Sequence, residues 1–377
     1  VKNHSDESSH LPWQRRLDAK NTVVHSSAAT AVASKTALPS TVCLSVPVRR
    51  IVTFHLNGLG DLLFTLPALA ALRESFPGAH ITAVVRPALA PLLQDSPYVD
   101  DLLLRPKGGL SAQATLMAKL HAQHFDLAMA FSQSRNTTLL VWSTGATVRA
   151  GFTEAKMEAL LTHRVPKEGP PRIETHLELA RAVGCKPHHH DYGGLLHVGA
   201  ASSQRAQALL DEARIEGPFI LAACAASDKR GIKEWPVEHW IESIKVLSQR
   251  WPVIMVGTQP THAVTAQVGE NVWDFGGRTD LPTLAALCGK AKLFCGIDSG
   301  VLHLAASMQI PVVGIYGPSD WRLTGPRGVP FRVVRNPVEC SPCLLAKCKW
   351  DGPEERKCLT RLEPLHLVQA VQELVGV

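Results

Sequence analysis

From Arg49 to the C-terminus, short continuous apolar runs alternate with longer stretches whose apolar residues recur every three or four positions. The continuous runs, bounded by Gly, Pro and polar residues, predict buried strands; the wider spacing predicts amphipathic helices. RRIVTFHL reads as a strand, NGLG as a turn, DLLFTLPALAALRESF as a helix ended by Pro77-Gly78, and HITAVV as the next strand. VDDLLLR, the helical LSAQATLMAKLHAQH and the strand DLAMAFS continue the rhythm, followed by TTLLVWSTG, a short strand around TVRAGF and the helix ETHLELARAVG. KPHHHDYGGLLHVGAASS then breaks the pattern with Pro, Gly and polar residues and reads as a linker. The alternation restarts in PFILAAC, VEHWIESIKVLSQR, PVIMVG, NVWDFGG, LPTLAALCGK, AKLFC and PVVGIYG, and ends in the amphipathic PLHLVQAVQELV. Strands of this kind separated by helices predict an α/β protein of two doubly wound halves, each a parallel sheet covered on both faces. The expected boundaries are 48–195 and 196–362, with a final helix over 363–377. A binding cleft is expected between the halves, beside the C-terminal ends of both sheets.

Length agrees with two domains, since 377 residues exceed one ordinary core. No apolar run reaches membrane-spanning length. The net charge of +6 is scattered, with no long Lys/Arg block. That argues against a dedicated nucleic-acid binder and leaves room for anionic small molecules or a membrane surface. Nine cysteines, an odd count without a secretory signal pattern, point to a reducing compartment. Residues 1–47 are rich in Ser, Ala and Thr without sustained periodicity and read as a disordered extension. A transit peptide over 21–50 is weakened by Asp6, Glu7 and Asp18, and sequence ahead of the true start is a third reading.

Two turns carry the chemistry. Asn57-Gly58-Leu59-Gly60 follows a strand, and Asp61 opens the next helix. Gly58 and Gly60 let backbone approach a ligand closely. The turn is neither a dinucleotide fingerprint, because Leu63 stands at the sixth position, nor a P-loop, because it lacks the lysine. Asp61 reads as an N-cap or as a general base at the top of the sheet. In GIDSGVLHLAAS, Asp298, Ser299 and Gly300 fall where a strand hands over to a helix, with His303 one turn in on the same face. That head is either a cap over a core histidine or an anion site made by orphan N–H groups.

Together these stretches resemble glycosyltransferase family 9, the heptosyltransferases of the lipopolysaccharide inner core. The resemblance runs from about Arg49 to the C-terminus. It rests on NGLGDLLFTLPALAALRESFPGAHIT, VRAGF, KEWPVEHW, GRTDLPTLAALCGKAKLFCGIDSGVLHLAASMQIPVVGIYGPSD and CSPC. It implies a GT-B fold of two facing Rossmann-like domains, the acceptor on the first and the nucleotide-sugar donor mostly on the second. The implied reaction is inverting and needs no catalytic metal. Asp61 then matches the proposed base, and Lys233 a lysine near the donor phosphates. Asp298, Ser299, Gly300 and His303 match the donor motif; Gly60 and Arg149 lie on the acceptor side. AACAASDKRGIKEWP departs from the family where a histidine and small or hydroxyl residues are expected, leaving Ser227 as the remaining hydroxyl. A lipopolysaccharide-type acceptor implies a cytoplasmic enzyme in peripheral contact with the inner face of the bacterial inner membrane.

Cys340, Cys343, Cys348 and Cys358 give C-x2-C-x4-C-x9-C. Such thiols can hold a structural Zn or Fe, form a labile disulfide, or stay free; late cysteines in some relatives hold a structural iron. Cys43, Cys185, Cys224, Cys288 and Cys295 read as isolated. Competing functions are a protein O-heptosyltransferase, a sugar-nucleotide epimerase of the same fold, and a binding protein without chemistry.

Overall fold

The computed structural model describes residues 24–26, 47–167, 171–225, 231–259 and 261–376. Most of the N-terminal extension, and Ser227, lie outside the described residues. The strands, in chain order, are β1 Val24–Ser26, β2 Arg50–His55, β3 His80–Val85, β4 Asp101–Leu104, β5 Leu127–Ala130, β6 Val148–Phe152 and β7 His163–Val165. They continue with β8 Ile220–Ala223, β9 Val253–Met255, β10 Val272–Asp274, β11 Leu293–Ile297, β12 Val312–Ile315 and β13 Phe331–Val334.

Two sheets form. The first has the order β4-β3-β2-β5-β6-β7, parallel throughout. The second has the order β10-β9-β8-β11-β12-β13, also parallel, with β1 added antiparallel on the β13 edge. Renumbered within each half, both parallel sheets run 3-2-1-4-5-6, the doubly wound Rossmann order. Each therefore has a switch point, between β2 and β5 in the first sheet and between β8 and β11 in the second.

The period of two sorts each strand's side chains into separate layers. In β2, Ile51 faces one apolar cluster while Val52 and Phe54 face another with Leu116, Leu120 and Leu140. In β8, Ile220 and Ala222 join Trp240 and Ile244, whereas Leu221 and Ala223 face the opposite cluster. The central cluster is shared by both halves and joins Leu62 and Phe64 to Leu302 and Leu304. The C-terminal helix Pro364–Val375 buries Leu367, Val368 and Val371 in the outer layer of the second half.

Two expectations change. The stretch read as one helix after the first turn is two, Leu59–Phe64 and Leu66–Ser75. Pro67 cannot donate to the preceding turn, and Thr65 instead closes the first helix, its N–H reaching the Leu62 carbonyl at 3.0 Å. The linker is also partly ordered core. Ala200–Glu212 is a helix, Tyr192 is fully buried, and Gly194 donates its N–H to the Ser307 carbonyl at 2.9 Å.

Candidate active site

On the first half, β2 ends in a buried histidine. His55 lies between the Thr53 and Thr65 hydroxyls at 3.0 and 2.9 Å and stacks on Phe131 at 5.1 Å. Burial lowers its pKa to about 3, so the ring is a neutral plug beneath the turn. Above it, Asp61 sits exposed in the first turn of Leu59–Phe64, and its Oδ2 accepts the Gly58 N–H at 3.2 Å. The carboxylate thus closes the helix head and faces solvent at the switch point. Arg86 donates to the Asn57 carbonyl at 3.3 Å. Lys167 approaches from the loop after β7. Burial pushes its ammonium below the usual range, Arg172 pushes the same way, and Asp61 opposes them. Lys167 escaped the sequence reading because only the fold brings it near Asp61, more than a hundred residues earlier in the chain.

The second half is built differently. Lys233 ends the turn Gly231–Lys233 and pairs with the buried carboxylate of Asp298; its amine also reaches the Asp298 carbonyl at 3.4 Å. The helix Gly300–Ser307 begins two residues later. Its N-cap, Ser299, makes no side-chain cap, and its buried hydroxyl has no hydrogen-bond partner. A helix head with uncapped N–H groups, an unpartnered hydroxyl and a nearby ammonium is equipped for an anion.

His303 occupies the seam between the halves. It is 4% exposed, shares a hydrogen bond between Nδ1 and the Tyr192 hydroxyl at 3.0 Å, and keeps Nε2 3.9 Å from Asp298 Oδ1. Phe64 packs edge-on against its ring at 4.8 Å. Burial lowers its pKa to about 4 against the opposing pull of Asp298. The sequence left this ring as a core histidine or a donor-site group; in the structure Tyr192 and Phe64 pack around it.

Gly60 and Gly300 lie in the same seam. A Cβ on Gly60 would stand 3.0 Å from the His303 ring, and one on Gly300 would stand 2.7 Å from Leu59 Cβ. Leu59 fills the space beside Gly300, so the glycine serves close helix contact between the halves. Arg149 is also placed elsewhere. Its guanidinium donates to the Leu160 and Ala146 carbonyls at 2.8 and 2.6 Å. It stands near the start of β6, about 10 Å along the strand from the carboxyl end where the switch-point loops gather.

Cys340, Cys343, Cys348 and Cys358 line one cavity of about 20 Å³ with Ile232, Pro318 and Trp350. All four are free thiols. The donor chemistry suits zinc or iron. Among the described residues, however, no three His, Cys, Asp or Glu side chains stand where they could hold a metal ion. The geometry does not fit a metal, and no step is derived through one.

Two Rossmann-ordered halves meeting at their switch points give the architecture of the GT-B fold. The chain belongs to glycosyltransferase family 9. The family model described as Glycosyltransferase family 9 (heptosyltransferase) matches residues 114–352, more than half of the sequence. Lipopolysaccharide heptosyltransferase 3 of Escherichia coli K12 is 24% identical over 285 residues, covering 70% of this chain and 82% of that protein. The family 9 glycosyl transferase of Veillonella parvula superposes with a TM-score of 0.74 at 20% identity, covering 87% of this chain and 97% of that one. E. coli heptosyltransferase WaaC with ADP-2-deoxy-2-fluoro heptose gives 0.63 at 20% identity, covering 86% and 99%.

Proposed function

We propose that this glycosyltransferase moves heptose from ADP-heptose to a lipopolysaccharide inner-core acceptor, inverting the anomeric carbon in one displacement. Asp61 takes the proton of the acceptor hydroxyl as that oxygen bonds to the anomeric carbon. The bond from this carbon to the diphosphate oxygen breaks, and its electron pair leaves on ADP. General-base assistance of this kind is worth roughly 10²–10⁴-fold. Lys233, Ser299 and the first N–H groups of Gly300–Ser307 meet the charge on the leaving group. Asp298 holds Lys233. The four thiols take no part in the chemistry.

The carrying observation is the unequal equipment of the two switch points. One presents an exposed carboxylate, the other an uncapped helix head beside a paired ammonium. The donor is supported by the ADP-sugar in the WaaC structure of the same fold, and the acceptor by the name of the E. coli relative. Lys167, which feels the Asp61 charge and has Arg172 beside it, suits an anionic acceptor near Asp61. No helix among the described residues is long and apolar enough to cross a membrane. Exposed Leu104 and Leu110 flank Arg105 and Lys107, a mixture that fits peripheral contact with the anionic inner face of the inner membrane. The test is ADP release from ADP-heptose with and without a truncated core lipid, followed by the anomeric configuration of the product. Release that needs the acceptor and yields inverted product supports the reading. Acceptor-independent turnover favours an epimerase or hydrolase, and binding without turnover favours a non-catalytic protein.

A further inference from the structure

The cysteine loop stands apart from the reacting groups, yet it is fastened to the segment that carries Lys233. Arg356 lies in the left-handed region at φ 50, ahead of the short helix Lys357–Thr360, and its N–H donates to Cys348 Sγ at 3.3 Å. Its guanidinium Nη1 donates to the carbonyls of Gly231 and Glu234 at 3.2 and 3.1 Å. Those carbonyls bracket Ile232 and Lys233. Ile232 lines the thiol cavity, and buried Trp235 donates its indole N–H to the Leu362 carbonyl at 3.0 Å. Residues 231–235 are therefore bound at four points, Gly231, Ile232 and Glu234 to the cysteine loop and Trp235 to Leu362 just beyond the short helix. The Lys233 side chain turns the other way, to Asp298.

We infer that Arg356 is a positioning residue for Lys233. The loop fixes Arg356, Arg356 fixes the two carbonyls on either side of the lysine, and the ammonium is thereby held where a donor diphosphate arrives. This inference rests on the donor-site reading above. A long lysine on an untethered turn would have to be ordered at each binding event, and a misplacement of about 1 Å can cost on the order of 10²-fold in rate. Arg356 itself touches no substrate in this scheme, so its effect must pass through Lys233.

The experiment is a double-mutant cycle on the full chain, with calorimetric ADP affinity, donor and acceptor KM, and hydrogen exchange at residues 231–235. Arg356→Ala is expected to weaken ADP binding and raise donor KM about tenfold or more, with acceptor KM unchanged. Arg356→Lys, which keeps a donor of shorter reach, is expected to restore part of the loss. In a Lys233→Gln background, Arg356→Ala is expected to add less than about twofold. Faster exchange at 231–235 in Arg356→Ala accompanies all three outcomes. Unchanged ADP affinity, or an equal further loss in the Lys233→Gln background, overturns the inference. If the wild-type protein itself binds no ADP, the donor reading falls instead. Hydrogen exchange then decides the clamp, with unchanged protection at 231–235 counting against it.

Discussion

The turns Asn57–Asp61 and Ile297–His303 share one local plan and end in opposite states. Each follows a strand at the switch point of a Rossmann-ordered sheet, contains glycine and an acid, and opens a helix. Asp61 is exposed and bound to its own turn through the Gly58 N–H, whereas Asp298 is buried, paired with Lys233 and near His303. The local pattern places a carboxylate at the head of a helix; what packs over it decides its use. A base that must reach an incoming hydroxyl belongs on the open turn, while groups that hold a fixed charge gain from the closed one, where no reorganisation is needed on binding. The seam that closes the second turn includes Leu59 and Phe64 of the first half, so the two turns depend on each other.

The largest expected effect falls on the open turn. Asp61→Asn keeps an oxygen for the Gly58 N–H and removes the basicity. Steady-state turnover should fall roughly 10²–10⁴-fold with little change in melting temperature. Unfolding of this variant would make Asp61 a cap alone. On the closed turn, Asp298→Ala leaves the Lys233 ammonium without its partner. Removing one member of a buried pair costs about 3–5 kcal/mol, to be read in urea denaturation. A loss below about 1 kcal/mol, the range of exposed pairs, would make the two turns equivalent.

Gly300→Val sharpens the seam. The added side chain meets Leu59, and overpacking costs about 1–3 kcal/mol; Leu59→Ala in the same chain should recover part of it. No recovery would mean that Gly300 answers to something other than the first half. The smallest effect is a slope. His55, His176 and His303 are buried, with pKa values lowered to about 3, 4 and 4 from 6.5. The unfolded chain binds protons that these rings refuse when folded, so stability is full above pH 6.5 and falls as pH drops toward 4. His303→Gln should flatten that fall by about 1.4 kcal/mol per pH unit. An unchanged slope would mean that the closed turn is open to protons.

The βα alternation was legible because fully buried parallel strands are continuous apolar runs, and the switch-point acids were legible because each sits at a strand-to-helix handover. Tyr192 was hidden in a Pro- and Gly-rich stretch, since its partner His303 lies 111 residues away. Lys167 follows the short, partly buried β7, which carries little periodic signal. Gly60 announced a close approach without naming what approaches, which is the His303 ring. Arg149 came from resemblance alone, and its neighbours, the Ala146 and Leu160 carbonyls, have no signature in sequence.

The most direct test of the contrast between the turns is ADP affinity by calorimetry for Asp61→Asn and Asp298→Asn beside the wild type. The account predicts that Asp61→Asn binds ADP as the wild type does while turning over poorly, and that Asp298→Asn binds ADP more weakly. The reverse order, with ADP affinity lost at Asp61 and kept at Asp298, would contradict it.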